Sequence, residues 1–245
     1  MRNIIILGAT SGIAQATAKE LIEDDVYFHL VARNKNKLKI VADDLTARGC
    51  GKVDCYEFDF NELNSHEQLV EKISGSLDSI DILFVSYGIM YSQIDCENNV
   101  SKAIEQVNSN YTSVVSLLVL FSQRMSQQKC GTIAVVSSVA GDRGRKSNYI
   151  YGSAKAGLSI FLEGLRYKLF DKGVNVLTIK PGFVDSPMTS EMKKGLLWVS
   201  TEQVARYIVK GIRNKRSTIY TPPFWFLIMM VIKVIPSFIF RKLNI

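Results

Sequence analysis

Tyr151 and Lys155 stand four residues apart in Tyr-Gly-Ser-Ala-Lys. On a helix that spacing puts both side chains on one face, with the ammonium near the phenol. A phenol titrates near ~10, so it is a poor acid or base at neutral pH unless a neighbouring cation stabilises its anion. Lys155 is expected to supply that cation. Ser138, which closes an apolar run, carries a hydroxyl able to hold a substrate oxygen, so Ser138 and Tyr151 together would polarise a carbonyl. Tyrosine and lysine at this spacing recur by chance, and reducing a carbonyl also needs a hydride carrier.

A place for one is written near the start. Gly8-Ala9-Thr10-Ser11-Gly12-Ile13-Ala14 directly follows the apolar run of residues 3–7 and opens a helix-length segment. There the pyrophosphate of a dinucleotide would meet a helix N-terminus. Gly8 permits the tight turn, Gly12 is expected to let the ligand reach the backbone, and Thr10, Ser11 and Ile13 complete the loop. Ala14 stands where a third glycine often serves helix packing. An acidic residue at the end of the second strand would favour NAD(H). The chain has Ala32-Arg33-Asn34 instead, and Arg33 suits a 2′-phosphate, so NADP(H) is expected first and NAD(H) second. Asp59, after the third strand, is expected either to hold the adenine amino group or to cap a helix. Pro181, Val184 and Ser186 sit in a turn-rich stretch after the sixth apolar run and are assigned to the cofactor as well.

These residues fall at the ends of regularly spaced elements. Strand-like runs at 3–7, 26–32, 53–58, 80–85, 132–137, 174–180 and 217–220 alternate with about six helix-length segments. The runs are continuously apolar, which means that both faces are covered, as in a parallel sheet between two helix layers. The expected fold is α/β: one doubly wound, Rossmann-type domain with a seven-stranded sheet, over residues 1–221.

Residues 222–245 break the pattern. Between 224 and 240 only Lys233, Pro236 and Ser237 are not apolar. A helix of that length would reach ~25 Å against a hydrocarbon core of ~30 Å, so the tail is expected to lie on a membrane surface, with Lys233, Arg241 and Lys242 toward anionic headgroups. The alternative is a segment buried against the domain or a partner subunit. A content of 47% hydrophobic and 22% charged residues excludes a disordered chain. The net charge of +7 is dispersed and lacks interleaved aromatics, so no nucleic acid is expected. Cys50, Cys55, Cys96 and Cys130 show no paired spacing and only two histidines accompany them, so reduced thiols and no metal site are expected. No leader is read ahead of the first strand, which places catalysis in the cytoplasm.

Taken together, the glycine loop, the Ser–Tyr–Lys set and the stretch from Pro181 to Met188 resemble the short-chain dehydrogenase/reductase family over essentially the whole chain. The resemblance implies Ser138, Tyr151 and Lys155 as the catalytic set, Asn108 of Gln-Val-Asn holding a proton-relay water, Ser186 touching the nicotinamide amide, and assembly into a homo-oligomer. It departs at Val85-Ser86-Tyr87-Gly88, where the family usually has Asn-Asn-Ala-Gly. Side-chain bonding from the first two positions changes there, while backbone contacts from Gly88 can persist. Residues 87–88, 108–113, 141–146, 149–155 and 235–245 further resemble members that reduce a 2-keto pentose carried on a polyprenyl phosphate, after a separate flavin oxidase has made the ketone. That resemblance implies a lipid-linked keto sugar as substrate, the flavin oxidase as partner and a position at the inner face of the membrane. Arg143, Arg145 and Lys146, in the loop after Ser138, are expected to bind the phosphodiester. A soluble reductase of a nucleotide sugar, acyl or small ketone substrate is the first alternative, and a non-catalytic dinucleotide-binding regulator the second.

Overall fold

Ile4, Ile5, Ile6 and Leu7 are all fully buried, although neighbours along a strand point to opposite faces. Ile4 and Ile6 join one core cluster, Ile5 and Leu7 another. Each face of the sheet therefore needs its own helix layer. A computed structural model, which describes every residue except Asp24, Asn244 and Ile245, shows both layers.

The main strands are β1 (Arg2–Leu7), β2 (Val26–Ala32), β3 (Lys52–Glu57), β4 (Ile82–Val85), β5 (Thr132–Val136) and β6 (Asn175–Pro181). A short parallel pair follows, β7 (Val184–Asp185) with β8 (Val199–Ser200), and β9 (Thr218–Thr221) closes the sheet. The order is β3-β2-β1-β4-β5-β6-β9, every pairing parallel. The direction of winding reverses between β1 and β4, the position where sheets of this kind open a crevice at their carboxyl ends. The chain is thus a seven-stranded Rossmann-type α/β domain, as its apolar runs imply.

The helices are α1 (Gly12–Glu20), α2 (Lys35–Ala47), α3 (His66–Ser74), α4 (Gln93–Asn98), α5 (Val100–Val107), α6 (Ser113–Gln128), α7 (Tyr149–Phe170), α8 (Thr201–Arg213), α9 (Phe224–Val234) and α10 (Ser237–Phe240). They outnumber the expected six for two physical reasons. Asn99 adopts extended backbone and caps α5 by accepting from the Ser101 and Lys102 amides, and a π-helical turn, Asn108–Thr112, separates α5 from α6. The tail is the second: it breaks at Ile235 and Pro236, where a proline cannot continue the hydrogen-bond ladder.

The single helix allowed for over 224–240 is therefore corrected to two short ones. At 11 residues α9 is about 16 Å long. Among the described residues no helix is long and apolar enough to cross a membrane. One face of α9 docks on the domain: Trp225 and Met229 form a small core with Val139, against which Phe183, Tyr220, Ile228 and Ile232 pack. The other face leaves Phe226, Leu227, Met230, Val231 and Val234 exposed.

Candidate active site

Each loop that leaves the carboxyl end of a strand contributes to one cleft. Gly8, Thr10, Ser11, Gly12 and Ile13 follow β1; Arg33 follows β2 and Asp59 follows β3; Gly88 follows β4. Pro181, Val184 and Ser186, at the end of β6 and beyond, close the same side. The structure brings all of these expected cofactor residues together.

Their local bonding explains the geometry. Gly8 has a φ of +87°, in the left-handed region, and a Cβ there would come within 2.6 Å of the Tyr87 Cβ, so a side chain is excluded twice. The Ser11 side chain caps α1 by accepting from the Ala14 amide at 3.1 Å, which leaves the other first-turn N–H groups free to face an anion. Ser86 retains a polar link despite the altered motif, its hydroxyl lying 3.0 Å from that of Ser11. Tyr87 is held by stacking on Phe60 and by a 3.1 Å bond to the Ser113 hydroxyl. The expectation for Gly12 is refined: a Cβ there would meet the Thr201 methyl at 3.1 Å, so this glycine lets α1 approach the start of α8. Asp59 caps a local turn, accepting from the Asn61 amide at 3.0 Å, and not a helix. The Ser186 side chain caps the 3-10 turn Pro187–Thr189. Arg33 is exposed at the cleft edge.

Two glycines bring the Ser–Tyr–Lys set together. A Cβ on Gly141 would come within 2.7 Å of the Ala156 amide nitrogen, and one on Gly152 within 2.9 Å of the Ala140 carbonyl. The turn after β5 therefore lies directly on α7. Ser138 caps that turn and reaches the Tyr151 phenol, and all three side chains line the cleft. The Lys155 ammonium sits 5.8 Å from the Tyr151 ring centre and donates to the Val136 carbonyl at 3.1 Å.

The expectation that this ammonium makes the phenol acidic does not hold for the protein by itself. Burial pushes Tyr151 up to about 12, opposed by the Ser138 hydroxyl, and pushes Lys155 down to about 8. The phenol is thus held in its proton-bearing form, the form that can give a proton to a carbonyl oxygen.

Asn108 is displaced from its expected place. It is half-buried and does not line the cleft, because the π-helical turn adds a residue and changes which side chain faces inward. Asn110 lies behind Gly88 of the cleft instead: it is fully buried and donates to the carbonyls of Ile89 and Gln106. Its Oδ1 is buried with no partner. A Cβ on Gly88 would lie 2.4 Å from that oxygen and 3.7 Å from the Lys155 ammonium, so bare Gly88 keeps carboxamide and ammonium on one small space. The Asn-Ser-Asn sequence held both candidates, but only the π turn separates them.

The basic trio also divides. Arg143 does not line the cleft; it donates to the carbonyls of Ile232 and Lys233 and lies 3.9 Å over the Phe240 ring, fastening the tail. Lys146 is exposed and outside the cleft. Arg145 alone lines it, beside Asn148 and Trp225. Below them Asp142, almost wholly buried, accepts from Lys180 and from Tyr220 at 2.7 Å, tying the loop to β6 and β9. Sequence reasoning missed Asn110, Asn148 and Trp225. The indole, one polar N–H in a tail whose other aromatics are phenylalanines, was the available signal for the last.

Among the described residues no group of three or more His, Cys, Asp or Glu side chains could hold a metal ion.

Comparison with known proteins follows the same outline. The short chain dehydrogenase family model matches residues 2–196. An uncharacterized oxidoreductase of Streptomyces coelicolor is 34% identical over 99% of this chain and 96% of its own length. One from Mycobacterium tuberculosis is also 34% identical, over 98% and 96%. A ketoacyl reductase of Nostoc is 26% identical, over 89% and 77%. Two crystallised proteins share the fold at 20% identity. One is an actinorhodin polyketide ketoreductase with NADPH, with a TM-score of 0.79 over 89% of this chain and 95% of that one. The other is an alcohol dehydrogenase of Thermococcus sibiricus complexed with 5-hydroxy-NADP, with a TM-score of 0.80 over 90% and 95%.

Proposed function

The chain belongs to the short-chain dehydrogenase family of oxidoreductases, and we propose that it reduces the keto group of a sugar carried on a polyprenyl phosphate, with NADP(H) preferred to NAD(H). The observation that carries this reading is the arrangement of Ser138, the proton-bearing Tyr151 phenol and Lys155 in one cleft with the glycine loop. The residues fit a nicotinamide dinucleotide. Gly8 and Gly88 leave space that a Cβ would fill, the α1 amides face the cleft, and the Asn110 Oδ1 lacks a partner beside Lys155. Arg33 at the cleft edge suits a 2′-phosphate, and Asp59, Pro181, Val184 and Ser186 would border the rest of the cofactor.

When bound, the nicotinamide supplies the hydride. Tyr151 gives its proton to the carbonyl oxygen, so the ketone gains hydride at carbon and proton at oxygen and becomes a secondary alcohol. The Ser138 hydroxyl orients that oxygen. Lys155 would help hold the cofactor and offset charge as the phenol loses its proton, and Asn110 would take the water-holding role first read into Asn108.

The substrate class draws on the resemblance to decaprenylphosphoryl 2-keto-erythro-pentose reductase, on Arg145 in the cleft, and on the exposed apolar face of α9 beside it. Met188 and Met192 line the cleft and are also exposed, so its mouth and the apolar tail are both suited to a lipid surface. We place the protein at the cytoplasmic face of a membrane, with a flavin oxidase supplying the ketone and a second copy of the chain as its oligomeric partner. The test supplies a polyprenyl-phosphoryl 2-keto pentose with NADPH and NADH in turn and follows nicotinamide absorbance. Turnover with NADPH supports the reading; turnover only with soluble ketones moves the assignment to a soluble reductase. That second reading is favoured by the ketoacyl reductase among the relatives.

A further inference from the structure

Arg145 is a cation set into an apolar wall. Its Nη2 meets the Met229 sulfur at 3.4 Å, and its Nε is buried with no hydrogen-bond partner. Among the described residues no carboxylate lies within ion-pair distance of it. Asp142 attracts it through space, but both oxygens of that carboxylate are already held by Lys180 and Tyr220. A half-buried guanidinium whose Nε is withdrawn from water without a counter-charge is unfavourable, and a ligand anion reduces the penalty.

Two further orphans lie in the same wall. The Asn148 Oδ1 is a buried acceptor without a donor, and the Trp225 Nε1 is a buried donor without an acceptor. Trp225 is only 3% exposed, and Gly182 makes its seat: a Cβ there would come within 1.9 Å of the indole. The cofactor does not account for these atoms. Its phosphates belong with the α1 N-terminus and Arg33, whereas Arg145 and Asn148 follow β5 and Trp225 comes from the tail.

We propose that Arg145, Asn148 and Trp225 form a subsite for a hydroxylated group bearing a phosphate oxyanion. The guanidinium donates to the oxyanion, the Asn148 carbonyl accepts from a neighbouring hydroxyl, and the Trp225 indole, packed on Gly182, walls the group on the tail side. The tail thereby becomes part of the substrate site. Naming this group as substrate rests on the reductase reading; the binding itself does not.

The chain has two tryptophans, so in a Trp198→Phe background Trp225 alone reports. This protein, loaded with NADP, is titrated with inorganic phosphate, with ribose 5-phosphate as a monoester and with glycerophosphorylglycerol as a diester, and indole emission is followed. We expect saturable changes, weakened ~10–100-fold by Arg145→Gln, the range for a hydrogen bond to a charged group. Ribose 5-phosphate should bind more tightly than phosphate, and Asn148→Leu should erase that advantage. Preference for the diester points to a lipid-linked substrate and preference for the monoester to a soluble sugar phosphate; both support the subsite. Absence of saturation, or equal affinity in Arg145→Gln, overturns it. NADPH fluorescence enhancement shows that each variant is folded, and Arg145→Lys, expected to be intermediate, replaces a Gln variant that does not fold. Phosphate binding without turnover of any ketone would reject the reductase reading and leave the subsite standing.

Discussion

The two sides of the cleft are built differently. The cofactor side is a set of strand-end loops in which backbone amides and absent side chains shape the space, as Gly8, Gly88 and the first turn of α1 show. The side we propose for the substrate is assembled from side chains far apart in sequence: Arg145 and Asn148 after β5, Met229 from α9, and Trp225 of the same helix seated on Gly182. A site made of backbone is fixed once the strands pair, whereas a site made of side chains depends on the packing that holds each one. Changes on one side should therefore leave the other largely intact.

The largest separation is expected at the boundary between the two. Tyr151→Phe removes the proton donor and should lower kcat by ~10³-fold while NADPH affinity, read by fluorescence, stays within about twofold. Reductase activity near that of the wild type would remove Tyr151 from its role.

Next comes the cost of burying Lys155. Its folded value of about 8 lies below the unfolded 10.5, so between them the unfolded chain holds more protons and the lysine's penalty is relieved as pH rises. In the cofactor-free protein the stability of wild type relative to Lys155→Met should rise by on the order of 2–3 kcal/mol between pH 7 and pH 10.5. The pH-independent part of the substitution cancels in that comparison, so urea unfolding of both proteins across the range isolates the titration. A difference that stays constant with pH would mean that the ammonium is not desolvated.

Gly182→Ala sharpens the contrast from the substrate side. The added methyl must displace the Trp225 indole, an overpacking expected to cost ~1–3 kcal/mol. We expect KM for the ketone to rise about tenfold with cofactor affinity unchanged, and steady-state kinetics on both ligands will show whether the two sides move together. The smallest effect is at the far edge of the cofactor side. Arg33→Asp should shift preference from NADPH toward NADH by about tenfold with little effect on the ketone, because it exchanges one exposed charged contact. An unchanged ratio would take the 2′-phosphate away from Arg33.

This contrast also explains what was legible. Gly8 to Ile13, Ser138, Tyr151 and Lys155 could be read because each falls where a local pattern ends, at the close of an apolar run or one helical turn from its neighbour. The sheet was equally plain, since doubly covered strands need uninterrupted apolar residues. Asn108 misled because the resemblance rests on Gln-Val-Asn, where Asn-Ser-Asn offers two asparagines, and only the π-helical turn decides which of them is turned inward. Arg143, Arg145 and Lys146 looked alike in a basic loop, yet one fastens the tail, one faces the cleft and one faces solvent. Their difference is set by where α9 docks, which no local pattern records.

The family model ends at residue 196, before α8, α9 and α10 begin. In the proposed subsite Trp225 and Met229 come from beyond that limit and Arg145 and Asn148 from within it, so one wall of the pocket is supplied by a stretch separable from the chemistry. Exchange of some twenty residues at the carboxyl end would then reshape that wall while Arg145 and the hydride-transferring machinery are inherited unaltered.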